Sequence, residues 1–182
     1  DVQQRIRTVG TVEYDESRLT DISLKFDGWI EELHVDETGF LVQRDQVLLE
    51  LYSPDLVSTQ QEDLTAFDHH QRLKGSGHPD AVQATQRLVD ASAQRLAYWD
   101  INPKHVRDLE TSRTVLRALP IHSPESGYVI EKNVVAGTFM RAGHLLYRLA
   151  NLDVVWVLAD IYEYELPMVS VGQEVEVSLA YL

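Results

Sequence analysis

Gly28-Trp29-Ile30, followed by Val35, Gly39, Val42, Leu48 and Leu51, returns later in the chain as Gly127-Tyr128-Val129, Val134, Gly137, Met140, Leu146 and Leu149. The offset is 99 residues at the leading glycine (127 minus 28) and at the valine (134 minus 35), then 98 from the second glycine onward (137 minus 39, 149 minus 51). One residue has been lost inside a turn. Each copy reads as short strands of alternating apolar residues interrupted by glycine, where the backbone turns with positive φ or passes close to a neighbour. Neither copy can bury its apolar face alone, so the halves, residues 21–52 and 119–150, are expected to pack on each other as one flattened β-sandwich. Trp29 and Tyr128 should then hold related positions.

Everything between the copies is an insertion with a different period. Ser53-Pro54-Asp55 combines a good N-cap, a proline suited to the first helical position and a negative charge at the positive end of the helix dipole. A helix is expected from Pro54 to about Lys74 along Val57, Leu64 and Phe67, an apolar edge weakened by Gln60 and Gln71, which would leave surface for other helices. Gly75-Ser76-Gly77-His78-Pro79 stops it and opens a second helix. The second helix has the clearer seam, Val82, Thr85, Val89, Ser92, Leu96 and Trp99. Each helix of about 20 residues gives a hairpin of roughly 30 Å. Asn102-Pro103 ends the pair, and residues 103–110 suggest a short third helix across its base.

Outside the repeat, residues 5–19 alternate partially and suggest one or two edge strands that do not belong to it. Strand signal resumes at Thr114 and Leu116. Val154 to Ala159 reads as a strand, residues 162–167 as a helical turn, and Gln173 to Leu179 alternates strictly. These end segments, residues 1–20 and 151–182, are expected to fall on one side of the sandwich as a partial β-barrel with exposed edges.

The chain has 182 residues, 44% of them hydrophobic and 25% charged, with a net charge of −13. That balance argues against nucleic acid and against an anionic membrane surface, both of which call for clustered Lys and Arg. With no cysteine there is no disulfide, thiolate metal site or cysteine nucleophile, which fits a periplasmic or secreted protein. No run approaches the ~18 to 20 apolar residues needed to span a bilayer, and the start at Asp1 is consistent with an export signal already removed.

Taken in order, these residues resemble the periplasmic adaptor, or membrane fusion protein, of tripartite RND-type efflux pumps, most closely the copper/silver heavy-metal (Cus-type) branch. The resemblance rests on Gly28-Trp29-Ile30-Glu31, on Glu50 to Leu56, on Ile121-His122-Ser123-Pro124 with Gly127, on Val155 to Glu163 and on Val171-Gly172-Gln173. It implies an α+β, multi-domain chain: a lipoyl-like β-sandwich (21–52 and 119–150) split by an α-helical hairpin with a short third helix (53–118), plus a partial β-barrel. It also implies the rest of the barrel and a membrane-proximal domain, which these residues do not supply. The implied partners are an inner-membrane RND transporter, an outer-membrane channel protein facing the hairpin tip, and further copies of the adaptor. The implied location is the periplasm, associated with the inner membrane, and the implied task is efflux of heavy-metal cations.

No catalytic constellation emerges. The modified lysine of lipoyl and biotinyl carriers sits at the tight turn between their halves, which here has become the hairpin, while Lys25 and Lys132 lie in or beside repeat strands. There is no nucleophile elbow, phosphate-binding glycine loop or His-Glu-x-x-His helix. No enzyme and no cofactor are expected. Met140 reads as core and Met168 is far from it, so the soft thioether set of a Cu(I) site is missing. His34, His122 and His144 lie inside the repeat, where a surface or turn histidine is the default reading. His69, His70 and His78, near Asp68 and Asp80, are the candidate ligands for zinc or nickel, and make the alternative reading a metal-binding, chaperone-like module that delivers cations to the transporter. Adjacent helical residues point about 100° apart, which counts against a preformed site. Gly75, Ser76 and Gly77 are the candidate docking residues.

Overall fold

The structure is a computed structural model and describes residues 6–75 and 77–178. The first repeat copy forms β2 (Leu19–Ser23), β3 (Gly28–Leu33), β4 (Leu41–Val42) and β5 (Val47–Tyr52), and the second forms β6 (Ala118–His122), β7 (Gly127–Lys132), β8 (Phe139–Met140) and β9 (Leu145–Ala150). They do not make one sheet each. The strand orders are β2-β9-β7-β4 and β6-β5-β3-β8, so each sheet takes its two central strands from one copy and its two edge strands from the other. All these pairings are antiparallel.

The sequence offset is reproduced in the backbone. Gly28 pairs with Met140 and Trp29 with Phe139, while Gly127 pairs with Val42 and Tyr128 with Leu41. Trp29 and Tyr128 thus occupy equivalent places. Gly39 (φ 83°) donates its N–H to the Val129 carbonyl at 2.7 Å, and Gly137 (φ 81°) donates to the Ile30 carbonyl at 2.7 Å. The leading glycines are required by space: a Cβ on Gly28 would lie 2.7 Å from the Tyr52 carbonyl oxygen, and one on Gly127 would lie 2.9 Å from that of Ala150. Bulges match as well. The register skips Leu48 between β5 and β6 and Leu146 between β9 and β2, which lets consecutive residues, Leu48-Leu49 and Leu146-Tyr147, all be buried despite the usual alternation.

Ile22, Ile30, Val42, Leu51, Val129, Met140, Leu149 and their neighbours form the core between the sheets, joined from the hairpin base by Leu56, Leu96 and Ile101. Met140 is in this core, as its place in the repeat required. Tyr147 is wholly buried and donates its hydroxyl to the Val35 carbonyl at 2.7 Å. Burial, with the nearby Asp36 charge, pushes that phenol up to about 12.

The insertion forms α1 (Pro54–Leu73), α2 (Pro79–Tyr98) and α3 (Pro103–Ser112). Ser53 caps α1 by accepting from the Leu56 N–H, and Asn102 caps α3 by accepting from the Lys104 N–H at 2.8 Å. The third helix does not cross the base as expected. Arg113, just past its C-terminus, pairs with Asp68 at 3.1 Å and lies over the Phe67 ring, so α3 runs alongside α1 and climbs it. The chain then returns to β6 past Gln60, without strand structure at Thr114 or Leu116.

At the other end of the sandwich, β1 (Gly10–Tyr14) and β10 (Val155–Ala159) pair antiparallel from Gly10↔Ala159 to Tyr14↔Val155. No closed barrel forms among the described residues. Two expectations are corrected here. Leu19 and Thr20 belong to β2 and pair with Ala150 and Leu149, so they are sandwich and not edge segment. Residues 173–178 are not a strand: their alternation has no pairing partner among the described residues, and alternation alone supplies no ladder hydrogen bonds. Residues 1–5 and 179–182 of the expected end segments lie outside the described residues.

Candidate functional site

The hairpin is built around a polar seam. On α1 the buried residues are Leu56, Thr59, Gln60, Asp63 and His70, and on α2 they are Val89, Ser92 and Leu96. The seam expected for α2 is thus found, with Trp99 at its foot packed 5.3 Å from the Phe26 ring of the sandwich. The expectation for α1 is corrected: Val57, Leu64 and Phe67 are only half-buried, and Gln60 is wholly buried instead of leaving surface free. Its amide donates to the Leu116 carbonyl at 2.9 Å and accepts from the Leu116 N–H at 3.1 Å, which ties the returning chain to α1. Gln71 is exposed, as expected.

Halfway up, Ser92 donates its hydroxyl to Asp63 at 2.6 Å, and the second Asp63 oxygen is buried with no partner among the described residues. Burial raises the Asp63 carboxyl above its ordinary range, outweighing the Ser92 hydrogen bond. Glu110 on α3 is raised too, by burial and by the Asp63 charge. Farther out, Arg95 pairs with Glu62 at 2.9 Å on the exposed flank.

At the reversal, Lys74 ends α1 with its N–H on the His70 carbonyl, and Gly77 takes φ 72° before Pro79 opens α2. A Cβ on Gly75 would meet nothing within 4 Å. Ser76, the middle docking candidate, lies outside the described residues. The three tip histidines are treated unequally. His69 is exposed. His70 is buried, with Nδ1 3.3 Å from the Thr85 hydroxyl, which also lies within hydrogen-bond distance of the Ala81 and Val82 carbonyls. His70 and His78 line one shallow groove with Lys74 and Asp80, but His69, His70 and His78 do not form a ligand set among the described residues. Among the described residues, the group of His and carboxylates that does converge is Glu32 on β3, His34 just past its end and Glu50 on β5 of the sandwich. Sequence reading passed over it because Glu32 and Glu50 become neighbours only through strand pairing.

A family model described as CusB, barrel-sandwich hybrid domain, matches residues 19–150, from the first residue of β2 to the last of β9. The chain belongs to that family. Solved structures sharing the fold of this CusB-family chain include ZneB from Cupriavidus metallidurans, with a TM-score of 0.56 and 21% identity, covering 90% of this chain and 73% of that one. A MacA-MexA chimeric protein containing the Pseudomonas aeruginosa MexA α-hairpin domain gives 0.60 and 17%, covering 91% and 58%. MacA from Actinobacillus actinomycetemcomitans gives 0.53 and 20%, covering 91% and 59%. The chain thus spans less than two thirds of the latter two. Among curated protein sequences none matches. The CusB-family assignment places the chain among the adaptor, or membrane fusion, proteins of RND efflux pumps. No helix among the described residues is long and apolar enough to cross a membrane.

Proposed function

We propose that this CusB-family chain is the periplasmic adaptor that joins an inner-membrane RND transporter to an outer-membrane channel, in a pump that exports heavy-metal cations. The carrying observation is the hairpin itself. It rises from neighbouring strands of an interlocked sandwich, since Tyr52 at the end of β5 pairs with Ala118 at the start of β6, and it ends in an open glycine reversal. A rigid base with an exposed helical tip fits insertion between the helices of a channel. Exposed apolar residues on β1 and β10, among them Val12, Trp156 and Leu158, provide surface for further copies of the adaptor or a further β unit. The heavy-metal assignment is supported by membership in the CusB family and by the fold shared with ZneB. The alternative module, delivering cations through His69, His70 and His78, finds no converged ligand set at the tip among the described residues.

Gly75→Trp tests the docking role cleanly, because its side chain enters open space. The full-length variant should keep its fold stability within about 0.5 kcal/mol yet lose cross-linking to the channel and resistance to toxic cations. Unchanged cross-linking and resistance would overturn the tip as docking surface.

A further inference from the structure

The two repeat copies share a backbone, so a difference in side chains at equivalent positions marks a difference in task. Glu131 on β7 faces Arg148 on β9, and at the equivalent places Glu32 on β3 faces Glu50 on β5. In the second copy the cation is supplied by the chain. Arg148 holds Asp21 with Nε–Oδ1 at 2.6 Å and Nη2–Oδ2 at 2.8 Å, and reaches Glu131 at 3.3 Å. That guanidinium lowers the Asp21 carboxyl and is itself raised. Beside it, Asn133 donates its amide to Glu131 at 2.8 Å.

In the first copy the arginine position is Glu50, the asparagine position is His34, and the place of Asp21 on the neighbouring strand is taken by Pro120. Two carboxylates therefore face each other across the strands, an arrangement that costs stability without a cation. Among the described residues neither Glu32 nor Glu50 pairs with Lys or Arg. His34 stands between them, with Nδ1 3.9 Å from Glu32 and Nε2 3.7 Å from Glu50. Its own backbone N–H is fixed to the Leu48 carbonyl at 2.9 Å. One ligand atom from each of the three residues lies within 4.8 Å of the others.

We infer that Glu32, His34 and Glu50 form a binding site for a borderline divalent cation of the zinc class, which takes in the first copy the place Arg148 takes in the second. A tetrahedral site with ligands at about 2.1 Å sets them about 3.4 Å apart, and these half-exposed side chains need only rotamer adjustments to close that gap. Two carboxylate oxygens and one imidazole suit zinc, nickel or cobalt, and lack the thiolate or thioether that Cu(I) selects. Three donors are also too few for the oxygen-rich shell of calcium. The remaining position is open to solvent, which fits exchange of the ion more than permanent structural retention. The inference stands apart from the adaptor reading, because binding is measured on the chain without a pump.

Calorimetry with Zn²⁺ on this 182-residue chain should find one equivalent bound, with a rise in Tm on loading. His34→Asn should weaken binding at least tenfold. His34→Asn with Glu50→Arg rebuilds the second copy's arrangement and should abolish both binding and the zinc-dependent rise, while the metal-free Tm stays level or increases. Glu50→Gln, which preserves shape, should also weaken binding at least tenfold and serves if the arginine variant does not fold. Zinc binding retained in His34→Asn and Glu50→Gln, or lost instead in a His69→Ala, His70→Ala, His78→Ala variant, would overturn the site, as would no binding by the unaltered chain.

Discussion

The sandwich and the hairpin bury different kinds of side chain. Between the sheets the fully buried residues include Ile30, Val42, Leu48, Leu51, Val129 and Leu146, whereas along the hairpin seam Thr59, Gln60, Asp63 and Ser92 stand beside Leu56 and Leu96. An apolar core is non-directional and gains with area. A polar seam gains little from burial and depends on each group finding its partner. The Asp63 oxygen without one among the described residues shows how incomplete that compensation is. The difference teaches where each region can yield: the sandwich holds a fixed platform, and the hairpin can part or repack its helices at modest cost.

The strongest way to break this contrast is at Leu48, which is fully buried in a bulge. Leu48→Ala should cost about 2–5 kcal/mol in urea unfolding, through lost burial and the cavity left behind. A cost under 1 kcal/mol would mean that the sandwich is not the close-packed platform described. Next comes Gln60. Removing its amide with Gln60→Ala strands the Leu116 N–H and carbonyl, costing about 1–3 kcal/mol, and the loss should be local. Hydrogen exchange should speed at Leu116 and along α1 while the β5 and β9 amides keep their protection.

The smallest effect sharpens the comparison through pH. Because burial raises the folded-state Asp63 carboxyl above its unfolded value of 3.8, the folded hairpin takes up a proton that the unfolded chain has released. Its contribution is fully present below the unfolded value and is lost as pH rises through the raised one. Glu110 acts in the same direction. The urea midpoint of the hairpin should therefore carry a component that falls with rising pH on the acid side of neutrality, and Asp63→Asn should flatten it. An identical profile in the variant would show that the seam tolerates the charge.

What could be read from sequence follows the same division. Repeat, sandwich pairing, both long helices and the Ser53 cap of the first were legible because each depends on local chemistry or on apolar spacing: Gly28 against Gly127, Ser53-Pro54, the α2 seam from Val82 to Trp99. The α1 seam was not, since Gln60 looks like a surface residue until its partner, Leu116, is brought back by a third helix. The exchange of edge strands was equally hidden, because a repeat shows that two halves pack and says nothing about which supplies which edge. Glu32 and Glu50 escaped for a related reason: only the β3–β5 register brings them together.

The exchanged edges also govern the order in which the molecule can assemble. Leu41 waits for Tyr128, Gly28 for Met140 and Leu19 for Ala150, so one sheet cannot finish before Met140 is present and the other not before Ala150. Pairings this distant make folding slow, because loop closure must come before the contacts that reward it. Helices, by contrast, form in about a microsecond. With Tyr52 and Ala118 as ladder partners, a hairpin that forms early brings the two copies together and shortens the search for their shared core, so the hairpin also acts as the chain's folding clamp.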